Sequence, residues 1–138
     1  MNQKIAQWYL ENLDILNQMY GKVRIYQDFS QIMIENFDLP PVFNNSFSTL
    51  LMLTPGKDIA NHAAFQFFLD RDLKRVDGRS TSHLFTDNGE YNYLYQNGFS
   101  RLSFHLNHFK PTVDIWTGDN FMSICKGIYY FLGDEKGC

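Results

Sequence analysis

The stretch that decides the fold is residues 77–106, DGRSTSHLFTDNGEYNYLYQNGFSRLSFHL, which carries three pairs of residues typical of tight turns. In each pair a short polar side chain precedes a glycine, and both positions tolerate the left-handed backbone that a two-residue hairpin turn requires. The pairs are Asp77-Gly78, Asn88-Gly89 and Asn97-Gly98. Their spacing predicts short antiparallel strands joined by tight turns.

The segments between and after these turns alternate in polarity with the period of two that is typical of strands. We predict strands over 82–86, over 91–95, over 101–106, and around Val113 and Ile115 after the Lys110-Pro111 pair. The second predicted strand would carry Tyr91, Tyr93 and Tyr95 on one face, and the third would carry Leu102, Phe104 and Leu106. Four such segments with short loops predict an antiparallel meander.

The first part of the chain predicts two helices and one strand. Residues 2–20 repeat apolar side chains every three to five positions, with Glu11 and Asn12 among the polar positions, and Gly21 would end the helix. A shorter helix is predicted over 30–37, because Ser30 can cap it and a pair of prolines follows it. The apolar run at 47–54 predicts a buried strand.

Two further segments complete the predicted fold. Residues 58–73 favour a helix, because Asp58 can cap it and the apolar spacing is helical, although phenylalanines at 65, 67 and 68 would also suit a strand. Residues 121–132 predict a closing helix, capped by Asp119 or Asn120 and ended by Gly133. The chain is therefore predicted to be one α+β domain over 1–138, with N-terminal helices packed on an antiparallel meander of four to five strands and a closing C-terminal helix.

Composition limits the classes of partner. The 138 residues carry a formal net charge of −3 and a mean hydropathy of −0.33. The basic residues between 71 and 79 are interleaved with aspartates, which indicates a mixed-charge surface, so we expect no nucleic-acid partner. No apolar run is long enough to span a membrane, and we expect no membrane association. Cys125 lies in an apolar stretch and Cys138 is the last residue, which fits a cytoplasmic location better than a disulfide.

Metal and nucleophile chemistry have little support in the sequence. No HExxH or CxxC motif is present, and His105 and His108 would point to opposite faces of a strand. Cys125 reads as a small buried hydrophobe between Ile124 and Ile128. The sequence shows neither a GxSxG elbow nor a phosphate-binding glycine loop. We therefore predict no metal and no cofactor.

An acid–base pair is the strongest enzymatic candidate. Asp87, Glu90, Asp114 and His105 lie on or beside the predicted meander. Asp114 would face away from the core beside Trp116, and it has two interpretations. It is either a solvent-facing strand residue or a pocket carboxylate with a raised pKa that shares proton transfer with a histidine such as His105.

The aromatic side chains are the candidate binding residues. They are Tyr91, Tyr93, Tyr95, Phe104 and Trp116. Tyrosines that share a strand face suit a surface that is half wet. Ordinary packing, a ligand pocket and a partner interface all remain open for this set.

Parts of the chain resemble two known families. The element order, with GKDIA at 56–60 leading to Phe67-Phe68, resembles the NTF2-like or cystatin-related cone fold. That resemblance implies a conical pocket between sheet and helices for a small apolar ligand or acid–base chemistry. The segments YQNG at 95–98, 102–106 and FKP at 109–111, followed by Cys125, resemble the central meander of ubiquitin-conjugating (E2-like) folds. The histidine-proline-asparagine motif of that family is missing, so this second resemblance implies an inactive relative.

Three functions follow from these observations. The first is a non-catalytic interaction or accessory protein, of the inhibitor or immunity kind, whose partner is another protein. The second is a module that binds a small apolar ligand in an aromatic pocket, and the third is an acid–base enzyme that uses Asp114 and a histidine in such a pocket. A tyrosine-rich face could also pair in a symmetric homodimer.

Overall fold

A six-stranded antiparallel sheet lies against an N-terminal and a C-terminal helix. The computed structural model of the chain describes residues 2–26, 28–59, 61–79, 81, 83–86, 89–112 and 114–134. The strands are β1 (Val23–Tyr26), β2 (Gln31–Asp38), β3 (Phe47–Leu53), β4 (Gln66–Asp70), β5 (Leu84–Phe85) and β6 (Phe99–Leu102). The helices are α1 (Gln3–Tyr20), α2 (Asn92–Gln96) and α3 (Phe121–Gly133), and a single 3₁₀ turn spans His62–Ala64. The sequence-based predictions at Ser82, Asp87, Asn88, Val113 and Cys138 fall outside the described residues.

The α+β class with an antiparallel meander is confirmed, but most of the sheet lies in the first half of the chain. The sheet order is β1-β2-β3-β4-β6-β5, so four consecutive strands precede the stretch that predicted the meander. Among the described residues one helix, rather than two, precedes the sheet. The NTF2-like cone is not confirmed.

The predicted helix over 30–37 is wrong, because this segment is β2. Ile32 and Ile34 alternate with Met33, and the two isoleucines are fully buried on the helix-covered face. They pair with Met52 and Leu50 of β3. Branched side chains at alternate positions therefore outweigh the capping signal of Ser30 and the prolines beyond.

The predicted helix over 58–73 is also wrong, because β4 occupies its centre. Phe67 and Leu69 are buried in the main core, while Phe68 is buried against the opposite face of the sheet. A strand that is covered on both faces loses the alternation that would identify it. That double burial explains the misleading helical spacing.

The tyrosine segment is a helix and not a strand. α2 lies on the face of the sheet opposite α1 and α3, with Leu94 packed on Leu51 and Phe68. The Asn97-Gly98 turn is confirmed, and Gly98 takes a φ of 98° between α2 and β6. Of the predicted third strand, 101–106, only 101–102 is extended, as the end of β6, and Ile115 is buried in an irregular segment instead of a strand.

The two long helices are confirmed and cover one face of the sheet. α1 ends at Gly21, whose φ is 65°, and Asn120 caps α3 through a reciprocal bond with Ser123. Tyr9 and Phe121 are fully buried between the helices and the sheet. None of the helices in the described part of the chain combines the length and the hydropathy that crossing a membrane requires.

Asn12 joins the two long helices and is 1% exposed, although its place in the sequence indicates a polar surface. Its Oδ1 accepts a hydrogen bond from the backbone N of Phe121 at 2.8 Å, and its Nδ2 donates to the carbonyl of Trp8 at 2.8 Å. The first N–H groups of a helix have no partner within the helix. Asn12 therefore fixes the start of α3 against the middle of α1.

Candidate interaction groove

A groove of about 440 Å³ lies between α1 and the segment that leads into α3. On α1 the lining residues recur at intervals of three and four, so they share one face of the helix. The apolar residues of this groove are Ile15, Met19, Ile115, Trp116 and Met122, and its polar residues are Glu11, Asp14 and Gln18. We call this feature the Trp116 groove.

Large apolar side chains are exposed in the Trp116 groove. Trp116 is 66% exposed and Met19 is 44% exposed. Methionine is flexible and polarisable, so it adapts to partners of different shape, whereas tryptophan supplies a large rigid surface. An exposed tryptophan beside methionines is therefore better suited to binding than to packing within the chain.

Hydrogen bonds order the backbone of the turn that carries Trp116. The Asp114 carboxylate accepts a bond from the backbone N of Trp116 at 2.9 Å, and the Asp114 carbonyl accepts one from the Thr117 hydroxyl at 3.0 Å. The hydroxyls of Thr112 and Thr117 are 2.6 Å apart. Asp114 thus orders the turn that presents Trp116.

The base of the same loop is closed by two hydrogen bonds between Lys110 and Asp119. Lys110 N donates to the Asp119 carboxylate at 2.8 Å, and Asp119 N donates to the Lys110 carbonyl at 2.9 Å. A Cβ at Gly118 would lie 2.7 Å from the Lys110 carbonyl oxygen, so only glycine fits there. Asn120 Nδ2 donates to the Ile115 carbonyl at 2.8 Å, which ties the loop to α3.

Two carboxylates lie on the rim of the Trp116 groove. Glu11 accepts a hydrogen bond from Gln7 and Asp14 accepts one from Gln18, each at 3.1 Å. Within the described ranges neither carboxylate is in an ion pair. The rim therefore carries two negative charges beside an apolar surface.

Among the described residues, Asp114 and His105 line no common cavity. His105 lines a different cavity of about 240 Å³, together with His108 and Asp119. Asp114 is absent from the described lining of that cavity, and its carboxylate bonds its own turn. Glu90 lies near Tyr91. Burial of Tyr91 and the nearby Glu90 carboxyl group raise the pKa of the Tyr91 phenol.

The five predicted binding residues lie in separate places. Tyr91 packs edge-on against Phe68 and Tyr93 is 58% exposed on α2, on the far side of the sheet. The Tyr95 ring lies 5.2 Å from the Arg71 guanidinium. Phe104 packs in the main core with Phe67 and Phe131. Of the five, Trp116 is the one in the described lining of the Trp116 groove.

Neither metal chemistry nor a reactive thiol is apparent in the described ranges. Among the residues placed there, no three histidine, cysteine or acidic side chains come close enough to hold a metal ion. Cys125 is fully buried, and burial raises the pKa of its thiol to about 12. The thiol is therefore protonated and shielded at neutral pH.

Trp116 stands out in the sequence, but the rest of its groove does not. In the sequence, Ile15 and Met19 belong to a single amphipathic helix. Glu11 and Asp14 lie on the same face of that helix, so apolar and acidic residues are mixed there. The signal that could have found the groove is a continuous helical face that mixes apolar and acidic residues. Met122 lies in the first turn of α3 and gives no separate signal.

Comparison with family models, curated proteins and solved structures found no significant match to this chain. Neither of the two family resemblances gains support from these comparisons.

Proposed function

We propose that this chain is a non-catalytic interaction protein, and that the Trp116 groove binds a basic, apolar segment of another protein. One observation carries the proposal: Trp116 is exposed on a loop whose hydrogen bonds fix it beside an apolar surface. Tryptophan is enriched among the few residues that dominate interface energies. A loop that is ordered before binding loses less conformational entropy when the partner arrives.

The charges of the rim favour a basic partner. Glu11 and Asp14 flank the apolar residues and have no cation of their own among the described residues, so lysine or arginine on the partner would complement them. A volume of about 440 Å³ suits a few apolar side chains from one face of a helix. The favoured occupant is therefore a basic amphipathic helix, and a second copy of this chain is the alternative.

A cytoplasmic location belongs to the same proposal. The protonated, fully buried Cys125 thiol fits a reducing compartment. A protein partner, rather than a nucleic acid or a membrane, follows from the acidic rim and the net charge of −3.

A designed peptide tests the proposal by calorimetry. The peptide has about 18 residues, or five helical turns, with leucines on one face and lysines on the other, and a glutamate version serves as the charge control. We expect saturable binding of the lysine peptide that weakens with salt, and no binding of the glutamate peptide. The Trp116→Ala variant should raise the Kd about 10-fold or more. The matched control is Tyr130→Ala, because Tyr130 is 74% exposed on α3 outside the groove.

Three results would contradict the proposal. Equal binding of both peptides would remove the role of Glu11 and Asp14. Equal effects of Trp116→Ala and Tyr130→Ala on the Kd would exclude the groove as the binding site. A dimer in light scattering that Trp116→Ala dissociates would show that the occupant is a second copy of the chain.

A small apolar ligand is the second candidate, because a separate cavity of about 280 Å³ has a mostly apolar lining. Trp8 and Ile5 of α1 line it with Ile59 and Pro111, and Lys4 lies at the same cavity. Trp8 is 4% exposed, and its Nε1 has no hydrogen-bond partner among the described residues. Titration with hexanoate, followed by tryptophan fluorescence, would test this candidate. Saturable quenching that is abolished in Ile59→Glu would favour it. No quenching at millimolar hexanoate would exclude it.

A further inference from the structure

A cavity of about 300 Å³ lies beside β5 and β6 and shares no residue with the described lining of the Trp116 groove. It is lined by the segment that follows β4, by β5 and its flanks, and by single residues of α2 and β6. Polar atoms dominate its surface, in contrast to the other cavities described above. We call it the basic cavity.

Three cations line the basic cavity, and no carboxylate does so among the described residues. The cations are Arg71, Lys74 and Arg79. The sequence predicts a mixed-charge surface here, because aspartates alternate with the basic residues. In the structure the basic residues line the cavity, and the aspartates stay outside its described lining.

The neighbouring aspartates neutralise these cations only in part. Lys74 has no carboxylate within ion-pair distance in the described ranges. Asp77 binds the buried Arg75 at 2.9 Å and lies 3.8 Å from Arg79. Arg71 is 3.6 Å from Asp72, which is largely exposed. Lys74 and Arg79 can therefore offer hydrogen bonds to an anion.

Two hydroxyl groups of the basic cavity add further donors. Ser100 is 3% exposed and lines the cavity from β6 with its hydroxyl-bearing side chain. Thr81 lines the cavity as well, and its buried Oγ1 has no partner among the described residues. A buried hydroxyl without a partner costs free energy, and an acceptor supplied by a ligand would remove that cost.

We propose that the basic cavity binds a phosphate monoester. The phosphate oxygens would accept hydrogen bonds from Lys74, Arg79 and Ser100, because cations and hydroxyls are the usual donors to phosphate. The organic group would lie against the rings of Phe85 and Tyr95, which also line the cavity. A volume of about 300 Å³ suits a single ring with one phosphate.

Calorimetry with phenyl phosphate tests the proposal, with inorganic phosphate and benzoate as reference anions at constant ionic strength. We expect phenyl phosphate to bind more tightly than inorganic phosphate, and benzoate to bind weakly. The Lys74→Met variant should raise the Kd about 10-fold, and Ser100→Ala should raise it by a smaller factor. Lys126→Met is the matched control, because Lys126 is an exposed lysine on α3 outside the cavity.

Arg79→Gln is a second variant in case Lys74→Met fails to fold, since the Arg79 side chain is 78% exposed. Vesicles that contain phosphatidate distinguish the source of the monoester. Sedimentation of the protein with these vesicles, if it depends on Lys74, would assign the phosphate to a lipid headgroup. Binding of phenyl phosphate without sedimentation would assign it to a soluble ester. Absence of phenyl phosphate binding, or an equal loss of affinity in Lys74→Met and Lys126→Met, would overturn the site. This outcome does not depend on whether the Trp116 groove binds the peptide.

Discussion

Replacing Asn12 with leucine should destabilise the protein by about 2 kcal/mol. The substitution keeps the number and branching of the side-chain heavy atoms but removes the bond from Phe121 N to Asn12 Oδ1, which leaves a buried N–H without a partner at the start of α3. A buried donor left unpaired costs about 1–3 kcal/mol. The second bond, from Asn12 Nδ2 to the Trp8 carbonyl, is also lost, although that carbonyl lies within α1.

Urea denaturation followed by circular dichroism measures this effect. With a slope of about 2 kcal/mol per molar, the midpoint should fall by about 1 M, and the melting temperature should fall by about 6 °C. Gln7→Leu is the matched control, because Gln7 is exposed on the same helix and its side chain bonds Glu11. A midpoint shift for Asn12→Leu equal to that of Gln7→Leu would refute the role given to Asn12.

Two other predictions concern the loop and a buried histidine. Gly118→Ala places a Cβ 2.7 Å from the Lys110 carbonyl oxygen. This variant should lower the free energy of unfolding by about 1–3 kcal/mol and weaken binding of the lysine peptide. Stability and affinity equal to those of the wild type would contradict the rigid loop. Burial lowers the pKa of His83 below its ordinary value of 6.5. Below pH 6.5 the unfolded chain therefore binds a proton more readily than the folded protein does. The free energy of unfolding therefore falls as the pH falls. His83→Gln should reduce the loss of stability between pH 7 and pH 5 in urea titrations. Equal pH profiles for His83→Gln and the wild type would contradict this.

The parts of the fold that can be predicted depend on strong local signals. α1 and α3 combine helical spacing with Gly21 at the end of one and Asn120 at the start of the other, and their predicted bounds lie close to the observed ones. β3 is predictable because a continuous apolar run ends at a proline and a glycine. Each of these segments carries its signal within its own residues.

The wrong predictions fall where tertiary packing decides the local structure. β4 is buried on both faces, so its three consecutive apolar residues show no period of two. The tyrosines of 91–95 alternate as in a strand, yet the buried residue of this segment is Leu94, because the sheet beneath offers Leu51 and Phe68. The preference of a short segment yields to burial against its neighbours.

The candidate site is predictable only as one residue. Trp116 stands out by its type, whereas its groove is assembled from α1 and α3, which are far apart in the chain. Asp114 attracts an acid–base interpretation because of its neighbours in sequence, and its carboxylate instead bonds the N–H of Trp116. Sequence position does not reveal which backbone group such a carboxylate binds.

The most direct test of the Trp116 groove is a map of backbone amide shifts by nuclear magnetic resonance during titration with the lysine peptide. We predict that the largest shifts fall on Glu11, Ile15 and Met19 of α1 and on Trp116 and Met122, with little change on the opposite face of the sheet. Shifts concentrated on the tyrosines of α2, or absent from both faces, would contradict a groove that binds a basic partner.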